Sequence, residues 1–503
     1  MTDARPLFDR PWADVLALAA GAVLPLAFAP FGLYPFAVAS LGLLFLLWAG
    51  VSPRRALWRG FLFGLGVNAV GVSWVYVAIH DFGHSGVPLA VFLTALFVAF
   101  LALYPAALGY LAARFLRGSR WLRLTLLFPA GWTLMEWFRG WFLTGFPWLN
   151  VGYSQIDAPL RGLAPLGGAY AVTFAVALSA GLLAALWRSE RRARIAALAG
   201  LAALWLGAGL LARVTWTVPS GAPLTVALVQ GNVPQDSKWR PELVRYTLDL
   251  YAGLTREHLG RRLILWPEAA LTAWYHEVAN GYLAQLRTEA RAHGSDIVLG
   301  IPVLDRDQRR YYNSLVSLGE RPGVYHKRHL VPFGDFLPFE AALRGLIRFF
   351  DLPMSSFSPG PADQPLLEAA GQKLASAICY EDVFGEELIK ALPQAGLLVN
   401  ATNNAWYGDS FAPHQHLEMS RLRALETGRY MLRVTTNGVS AIIDERGRIR
   451  GRSPQFATHV LTGEAQVFQG ATPYVRAGNG PVLVIVTLAI ALGVYWARRR
   501  PPR

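Results

Sequence analysis

Long apolar runs occupy the first 212 residues and the end of the chain, and a polar segment lies between them. No charged residue occurs in residues 15–53. A run of about 20 apolar residues is long enough to cross a bilayer as a helix. We interpret seven runs before the polar segment and one after it as transmembrane helices. Two of them lie in 15–53, broken at residues 30–35, and the others are 60–79, 87–113, 124–142, 163–187, 195–212 and 481–497.

Fifteen arginines follow the second, fourth and sixth apolar runs and close the chain, whereas the short loops on the other side carry almost none. Basic loops stay in the cytoplasm. We therefore expect both termini to be cytoplasmic and the polar segment to lie outside. The arginines are Arg54, Arg55, Arg59, Arg114, Arg117, Arg120, Arg123, Arg188, Arg191, Arg192, Arg194, Arg498, Arg499, Arg500 and Arg503.

Short apolar runs alternate with helical patterns in the polar segment, residues 223–475. This alternation predicts a mainly parallel sheet covered by helices, and the β-rich residues 434–444 indicate that the sheet is mixed. The predicted strands are 224–229, 263–266, 297–299, 374–378 and 397–399, and the predicted helices are 282–292 and 414–427. The predicted domains are a helical part in 1–222, an α/β domain in 223–475, and a last helix with a basic tail in 476–503.

Composition supports a membrane protein. Hydrophobic residues make up 53% of the chain and charged residues 16%, against about 45–50% and about 25% in soluble domains. The net charge of +14 does not indicate nucleic-acid binding, because the arginines cluster between apolar runs. The single cysteine excludes an internal disulfide and a cysteine-rich zinc site. We expect no metal and no cofactor, since His414 and His416 do not share a helix face.

Three residues are candidates for chemistry. Cys379 follows the predicted strand 374–378, Glu268 follows strand 263–266, and Lys327 lies in a basic loop. A thiol attacks as the thiolate, a carboxylate can accept its proton, and a lysine can stabilise an oxyanion. Together they would form a covalent acyl-transfer site. The alternatives are a buried structural cysteine, a surface carboxylate and a solvated lysine beside Arg328.

The order Glu268, Lys327, Cys379 resembles the nitrilase superfamily, and nearly the whole chain resembles the apolipoprotein N-acyltransferase family. The resemblance implies an αββα sandwich domain joined to eight transmembrane helices. The residues that carry it are Ser73-Trp74-Val75-Tyr76, Phe146-Pro147-Trp148-Leu149, Asn232-Val233-Pro234-Gln235 with Trp239, Trp266-Pro267-Glu268, His326-Lys327, Phe333-Gly334, Pro353-Met354-Ser355-Ser356-Phe357, Cys379-Tyr380-Glu381 and Asn403-Asn404-Ala405-Trp406-Tyr407-Gly408.

The resemblance also implies roles. Cys379 would take an acyl chain from a phospholipid, typically phosphatidylethanolamine, and pass it to the N-terminal amine of a diacylglyceryl-cysteine lipoprotein. Glu268 would be the general base, and Lys327 would stabilise the oxyanion with a backbone N–H near Tyr380. Glu381 would orient the site. The family usually has Glu where this chain has Asp335, so the shorter carboxylate requires the loop to move if it supports Lys327.

Aromatic residues around these motifs have two interpretations. Trp239, Trp274 and Trp406 are either core residues or lid residues that meet acyl chains. Trp148 is either an interfacial anchor or a substrate contact. Glu136 and Arg139, one helical turn apart, either neutralise each other or bind substrate. The candidate lids are residues 271–281, 355–360 and 403–411, the last of which begins with Asn403.

The sequence leaves two other functions open. One is a membrane-anchored carbon–nitrogen hydrolase, an amidase that uses water where the acyltransferase uses an amine. The other is a transporter or receptor whose nitrilase-like domain only binds a ligand. The presence of all three residues, Glu268, Lys327 and Cys379, argues against this alternative, because a binding domain does not need a complete catalytic set. The predicted location is a bacterial inner membrane, with membrane lipids and a diacylated apolipoprotein as partners and the polar domain in the periplasm.

Overall fold

The computed structural model describes residues 12–116, 118–187, 189–338 and 356–499. The chain forms two compact units. The first contains Met1–Tyr76, Val87–Val214 and Arg476–Arg503, and the second contains Val77–Gly86 and Thr215–Val475. Some residues singled out above lie outside the described residues, namely Arg117, Arg188, Arg500, Arg503, Pro353, Met354 and Ser355.

The first unit is helical, and each predicted apolar run overlaps one of its helices. Apolar side chains without charges favour this structure because a helix satisfies its own backbone groups in a bilayer. The helices are α1 (Trp12–Val23), α2 (Pro35–Trp48), α3 (Pro53–Gly71), α4 (Val87–Phe115), α5 (Phe128–Arg139), α6 (Ala164–Ala185), α7 (Arg191–Leu211) and the C-terminal helix Gly480–Arg499.

Fewer helices than predicted are long enough to span a bilayer. Within the described residues, three stretches meet the length and apolarity that a span needs: Val87–Phe115, Pro159–Ala185 and Arg191–Leu211. Pro53–Gly71 and Val75–Phe82, bent by 60°, make a fourth if they form one span. The predicted count of eight is therefore not confirmed. The reason is length, since α1 and α5 have 12 residues each and a span needs about 20.

The second unit contains fourteen strands among its described residues. Two six-stranded sheets have the orders β13-β2-β3-β4-β5-β6 and β12-β11-β10-β9-β8-β7, and β1 pairs with β14. The strands are β1 (Val218–Pro219), β2 (Leu224–Gln230), β3 (Leu263–Leu265), β4 (Asp296–Asp305), β5 (Arg310–Ser317), β6 (Gly323–His326), β7 (Leu367–Ala369), β8 (Gln372–Ile378), β9 (Leu397–Thr402), β10 (Met431–Thr435), β11 (Ala441–Ile443), β12 (Ile449–Arg452), β13 (His459–Ala465) and β14 (Phe468–Gln469).

Each six-stranded sheet is mixed. In the first sheet β2, β3 and β4 are parallel, and in the second β8, β9 and β10 are parallel, while the outer strands pair antiparallel. Because there are two such sheets, the single mixed sheet predicted from the apolar runs is wrong. Antiparallel strands such as β5 and β13 include polar residues, so they lack the continuous apolar run of a buried parallel strand.

Helices cover one face of each sheet. Residues of α8 (Val244–Arg256) and α9 (Ala284–Ala292) pack in one core cluster with β2, β3 and β4. Residues of α10 (Ala412–Thr427) pack in another with β8, β9 and β10. The αββα sandwich that the resemblance implied is therefore observed.

The second unit also includes a short segment that the sequence assigned to the third apolar run and its loop. Val77–Gly86 belongs to this unit and contains the π-helical turn Ala78–Phe82. The Phe82 ring lies 6.2 Å from the Trp406 ring in an edge-to-face contact. The predicted helix 60–79 therefore ends earlier, at Gly71, where α3 ends.

Candidate active site

Cys379 lies at a sharp turn between a strand and a helix. Strand β8 ends at Ile378, and Cys379 begins the 3₁₀ turn Cys379–Val383 with a φ of 53°. A positive φ strains any residue other than glycine, so the surroundings must hold it. Asn400 Nδ2 donates to the Cys379 carbonyl oxygen at 2.9 Å, and the Ile378 N–H donates to Glu381 at 2.7 Å. The thiol is therefore held at the carboxyl end of a central strand.

Glu268 lies just beyond the end of β3 and is buried. Its Oε1 accepts from Lys327 Nζ at 3.1 Å and from Asn313 Nδ2 at 2.7 Å. Its Oε2 accepts from the Asn403 backbone N–H at 2.8 Å. Three donors therefore fix one carboxylate: Lys327 and Asn403 directly follow strands β6 and β9, and Asn313 lies within β5.

Strand β4 passes close beneath the Glu268 turn at Gly300. A Cβ added at Gly300 would lie 2.8 Å from the Glu268 Cα, closer than real Cβ atoms approach a backbone. The Leu271 N–H donates to the Gly300 carbonyl at 3.2 Å. Glycine is therefore needed here so that the turn can sit against the strand.

Lys327 directly follows β6 and is 1% exposed. Its Nζ lies 2.7 Å from Asp335 Oδ2 and 3.1 Å from Glu268 Oε1. Burial pulls the pKa of Lys327 down, but the Asp335 and Glu268 carboxylates outweigh it and hold the pKa well above its usual value. Lys327 therefore stays protonated at neutral pH. The shorter Asp335 side chain contacts its ammonium directly.

The loop geometry explains how the shorter carboxylate reaches the lysine. Asp335 Oδ2 also accepts from the Val331 N–H at 2.8 Å, which folds the carboxylate back over its own loop. Burial raises the pKa of Asp335, while the Lys327 ammonium lowers it and Glu268 raises it. Asp335 and Lys327 therefore form an ion pair next to Glu268.

The Cys379 thiol is 8% exposed and protonated in the resting protein. Burial, with the Glu268 carboxylate adding to it and Lys327 opposing it, raises the pKa of Cys379 to about 12. A thiolate is therefore scarce near neutral pH. Nucleophilic attack by this thiol requires its proton to leave as the bond forms, and Glu268 is the carboxylate whose charge acts most strongly on it.

Glu381 joins the cysteine turn to the lysine loop. Besides the Ile378 N–H, its carboxylate accepts from the Arg328 N–H at 2.7 Å and from the His329 N–H at 3.2 Å. The Tyr325 hydroxyl donates to it at 3.0 Å. Glu381 therefore connects the turn that carries Cys379 to the loop that carries Lys327.

Tyr380 packs against aromatic neighbours. Its ring meets the Phe384 ring edge-on at 5.1 Å and the His329 ring at 6.1 Å. His329 in turn stacks on Phe384 at 3.6 Å. The oxyanion role that the resemblance implied for a backbone N–H near Tyr380 remains a prediction.

A buried polar network lies behind the cysteine. His416 Nε2 lies 2.6 Å from Asp382 Oδ1, and Arg433 Nη1 donates to Asn400 Oδ1 at 2.6 Å. Asn400 is the residue that holds the Cys379 carbonyl. His416 therefore pairs with a carboxylate, and within the described residues no three His, Cys, Asp or Glu side chains converge as metal ligands do.

The predicted lid tryptophans lie in different surroundings. Trp274 meets Tyr311 edge-on at 5.8 Å, and Tyr311 meets Phe357 at 5.2 Å, so two candidate lids share one aromatic row. The Phe357 N–H donates to the Asp335 carbonyl at 2.9 Å. Trp406 packs on Phe82. Trp239 is half-buried on the loop after β2.

Asn403 connects that loop to the site. While its backbone N–H donates to Glu268, its Nδ2 donates to Gln235 Oε1 at 2.7 Å. Gln235 belongs to the motif that the resemblance singled out. Asn403 is therefore a support for Glu268 as well as the start of a candidate lid.

Trp148 belongs to the helical unit, where it is 2% exposed. Its ring packs on Trp74 at 5.1 Å and stacks on Phe146 at 6.1 Å. Arg139 Nη2 donates to the Trp148 carbonyl at 3.0 Å, and Glu136 accepts from the Val151 N–H at 3.1 Å. Glu136 and Arg139 therefore both form hydrogen bonds to the loop that contains Trp148. Their spacing along the helix did not predict this role.

Four residues of the site were not predicted from the sequence. Asn313 and Asn400 lie within β5 and β9, where a short polar side chain resembles any polar position of a strand. Lys238 lies among polar residues that resemble a solvated loop. Tyr407 was part of a quoted motif without a role. Burial raises its pKa, and the charges of Cys379, Lys327 and Glu268 also act on it.

A two-sheet sandwich with a buried thiol, carboxylate and ammonium at its strand ends is the architecture of a carbon–nitrogen hydrolase-type enzyme. The family model for carbon-nitrogen hydrolases matches residues 225–471, and the model for the apolipoprotein N-acyltransferase N-terminal domain matches residues 20–182. An apolipoprotein N-acyltransferase of Methylococcus capsulatus is 50% identical over 97% of this chain and 96% of its own length. The chain belongs to the apolipoprotein N-acyltransferase family, and it is an acyltransferase.

Other relatives and structures are similar over different lengths. An apolipoprotein N-acyltransferase of Azotobacter vinelandii is 48% identical over 97% of this chain and 96% of its own length. A carbon-nitrogen hydrolase structure from Helicobacter pylori is 14% identical, covers 56% of this chain and 95% of its own, and has a TM-score of 0.37. An amidase structure from Nesterenkonia is 19% identical, covers 53% and 97%, and has a TM-score of 0.36.

Proposed function

We propose that this protein moves an acyl chain from a phospholipid to the N-terminal amine of a diacylated apolipoprotein, through a thioester on Cys379. The observation that supports this most is the buried set of Cys379, Glu268 and Lys327 in a chain of this family. The thiol carries the acyl group, the carboxylate moves protons, and the ammonium faces the developing oxyanion.

The first half-reaction forms the thioester. Cys379 Sγ attacks the ester carbonyl carbon of the phospholipid while its proton passes to Glu268. The carbonyl oxygen becomes an oxyanion, which the Lys327 ammonium stabilises. When the tetrahedral intermediate collapses, the C–O bond breaks and Glu268 returns its proton to the leaving oxygen. The products are a lysophospholipid and acylated Cys379.

The second half-reaction is aminolysis. The acceptor ammonium first loses one proton to solvent, and the neutral amine then attacks the thioester carbonyl. Glu268 takes the second amine proton, the C–S bond breaks, and the departing sulfur of Cys379 receives that proton. The products are an N-acylated lipoprotein and free enzyme. Because the lysophospholipid leaves before the amine attacks the acyl-enzyme, the two half-reactions should show ping-pong kinetics.

The finer assignments rest on the resemblance to the family. We infer that the donor is phosphatidylethanolamine and that the acceptor ends in diacylglyceryl-cysteine. Two bilayer lipids as substrates fit a multi-pass protein of the bacterial inner membrane. The arginine distribution supports a periplasmic catalytic domain, cytoplasmic termini and eight helices that enter the bilayer, the shorter ones included.

The test uses the purified full-length protein with a fluorescent phospholipid and a diacylated peptide. Cys379→Ala and Cys379→Ser should both lose transfer to the peptide, because neither forms a thioester. An unchanged rate in Cys379→Ala would refute the mechanism. Release of free fatty acid in place of an N-acylated peptide would instead identify a hydrolase that uses water as its acceptor.

A further inference from the structure

A second lysine is buried beside Glu268. Lys238 is 1% exposed, and its Nζ lies 3.4 Å from the Glu268 main-chain carbonyl oxygen. The loop that carries Lys238 is tied to the site a second time, because Gln235 accepts from Asn403. In the part of the chain that the structure describes, no carboxylate oxygen lies within ion-pair distance of this ammonium. Lys238 is thus a buried cation held by a carbonyl oxygen.

A buried ammonium without a paired carboxylate is costly, and proteins keep one only where the charge is used. Burial lowers the pKa of Lys238 to about 8, while the field of Glu268 raises it. The cation therefore persists through neutral pH because of Glu268, although the two side chains do not form a direct ion pair.

The net charge of the site indicates what the Lys238 cation does. Glu268 and Asp335 contribute two negative charges, and Lys327, which contacts both, contributes one positive charge. Without Lys238 the buried site carries a net negative charge, which opposes the formation of an oxyanion. With Lys238 the charges balance.

Other titratable groups face Glu268, and they do not replace Lys238. Tyr407 is neutral, since burial raises its pKa, and His416 pairs with Asp382, while burial lowers its pKa. The groups around the carboxylate are Lys238 after β2, Lys327 and Asp335 after β6, Cys379 after β8, Tyr407 after β9 and His416 on α10.

We propose that Lys238 is a positioning residue whose ammonium balances the second carboxylate of the site and so supports Glu268 as the acceptor of the Cys379 proton. This inference rests on the proposed function, in which Glu268 is the base. It assigns to Lys238 a role separate from that of Lys327, which faces the oxyanion. A purely structural Lys238 would hold the Glu268 carbonyl without affecting protonation.

The experiment is the pH profile of acyl-enzyme formation, measured with phospholipid and no acceptor, in full-length wild type, Lys238→Met and Lys238→Arg. In Lys238→Met the second carboxylate of the site lacks its balancing charge, so the acidic limb should move up by about one pH unit and the rate at a fixed pH on that limb should fall about tenfold. Lys390→Met is the matched control, because Lys390 is an exposed lysine of the same unit.

Lys238→Arg separates charge from shape. Its guanidinium stays charged above the pKa of Lys238, so the acidic limb should stay in place and the alkaline limb near pH 8 should move upward. If Lys238→Met does not fold, the alkaline limb of Lys238→Arg still tests the inference. If neither limb of the pH profile moves in either variant, the inference is overturned, even if acyl-enzyme formation is slower. If wild type itself forms no thioester on Cys379, the proposed function fails, and this inference falls with it.

Discussion

Replacing Glu268 with glutamine is expected to move two properties of the site in opposite directions. The carboxylate is the base for the Cys379 proton, so acyl transfer should fall by roughly 10²–10⁴-fold, the usual contribution of a general base. The same carboxylate holds a negative charge near the thiol. Removing that charge should make the thiolate easier to form, because Glu268 raises the Cys379 pKa while Lys327 lowers it.

The magnitude follows from the resting pKa of about 12 for Cys379. Near pH 7.5 only about one thiol in 30,000 is then ionised. A unit charge at close range shifts a pKa by about 1–3 units. Glu268→Gln should therefore alkylate on the order of tenfold faster or more at fixed pH, and the midpoint of its alkylation profile should move to lower pH.

Alkylation with iodoacetamide reports on this thiol alone, since the chain has one cysteine. The rate is measured against pH for wild type, Glu268→Gln and the control Glu320→Gln, whose side chain is exposed on a turn. The control should match wild type in both assays. Slower alkylation in Glu268→Gln, or transfer retained within a few fold of wild type, would refute the assignment of Glu268 as the neighbouring base.

Three further variants test the supports of the site. Asp335→Asn should lower turnover by about 10–100-fold, because Lys327 loses its 2.7 Å partner and its cation is less well placed; steady-state rates equal to wild type would contradict this. Glu381→Gln should lower the free energy of unfolding by about 1–3 kcal/mol, since its amide would face backbone N–H donors; thermal unfolding measures it, and an unchanged midpoint would count against it. Gly300→Ala should reduce turnover, because its Cβ would collide with the Glu268 turn, whereas full activity would show that the turn can move.

The apolar runs predicted the strands correctly where a strand is buried on both faces. Strands β2, β3, β8 and β9 begin at the predicted residues or within two of them, because both faces of a central parallel strand are buried. Cys379 was recognised because its strand stops where polar residues begin.

Other features were beyond the reach of sequence patterns, for physical reasons. The antiparallel half of the first sheet depends on how strands such as β5 pair across a hairpin, which the residues of β5 alone do not specify. Lys238 has polar neighbours along the chain, and its burial arises only from tertiary packing. The length of an apolar run also overstates a helix when 3₁₀ or π turns interrupt it, as the π turn Arg123–Leu127 does before α5.

The central claim is that Cys379 carries the acyl chain, and mass spectrometry of the protein after incubation with phospholipid alone tests it most directly. The account predicts one added acyl group on the Cys379 peptide, removed by hydroxylamine and discharged when a diacylated peptide is supplied. Cys379→Ala should show no such adduct. Turnover in wild type without an adduct, or an acyl group on any other residue that transfers to the acceptor, would contradict the claim.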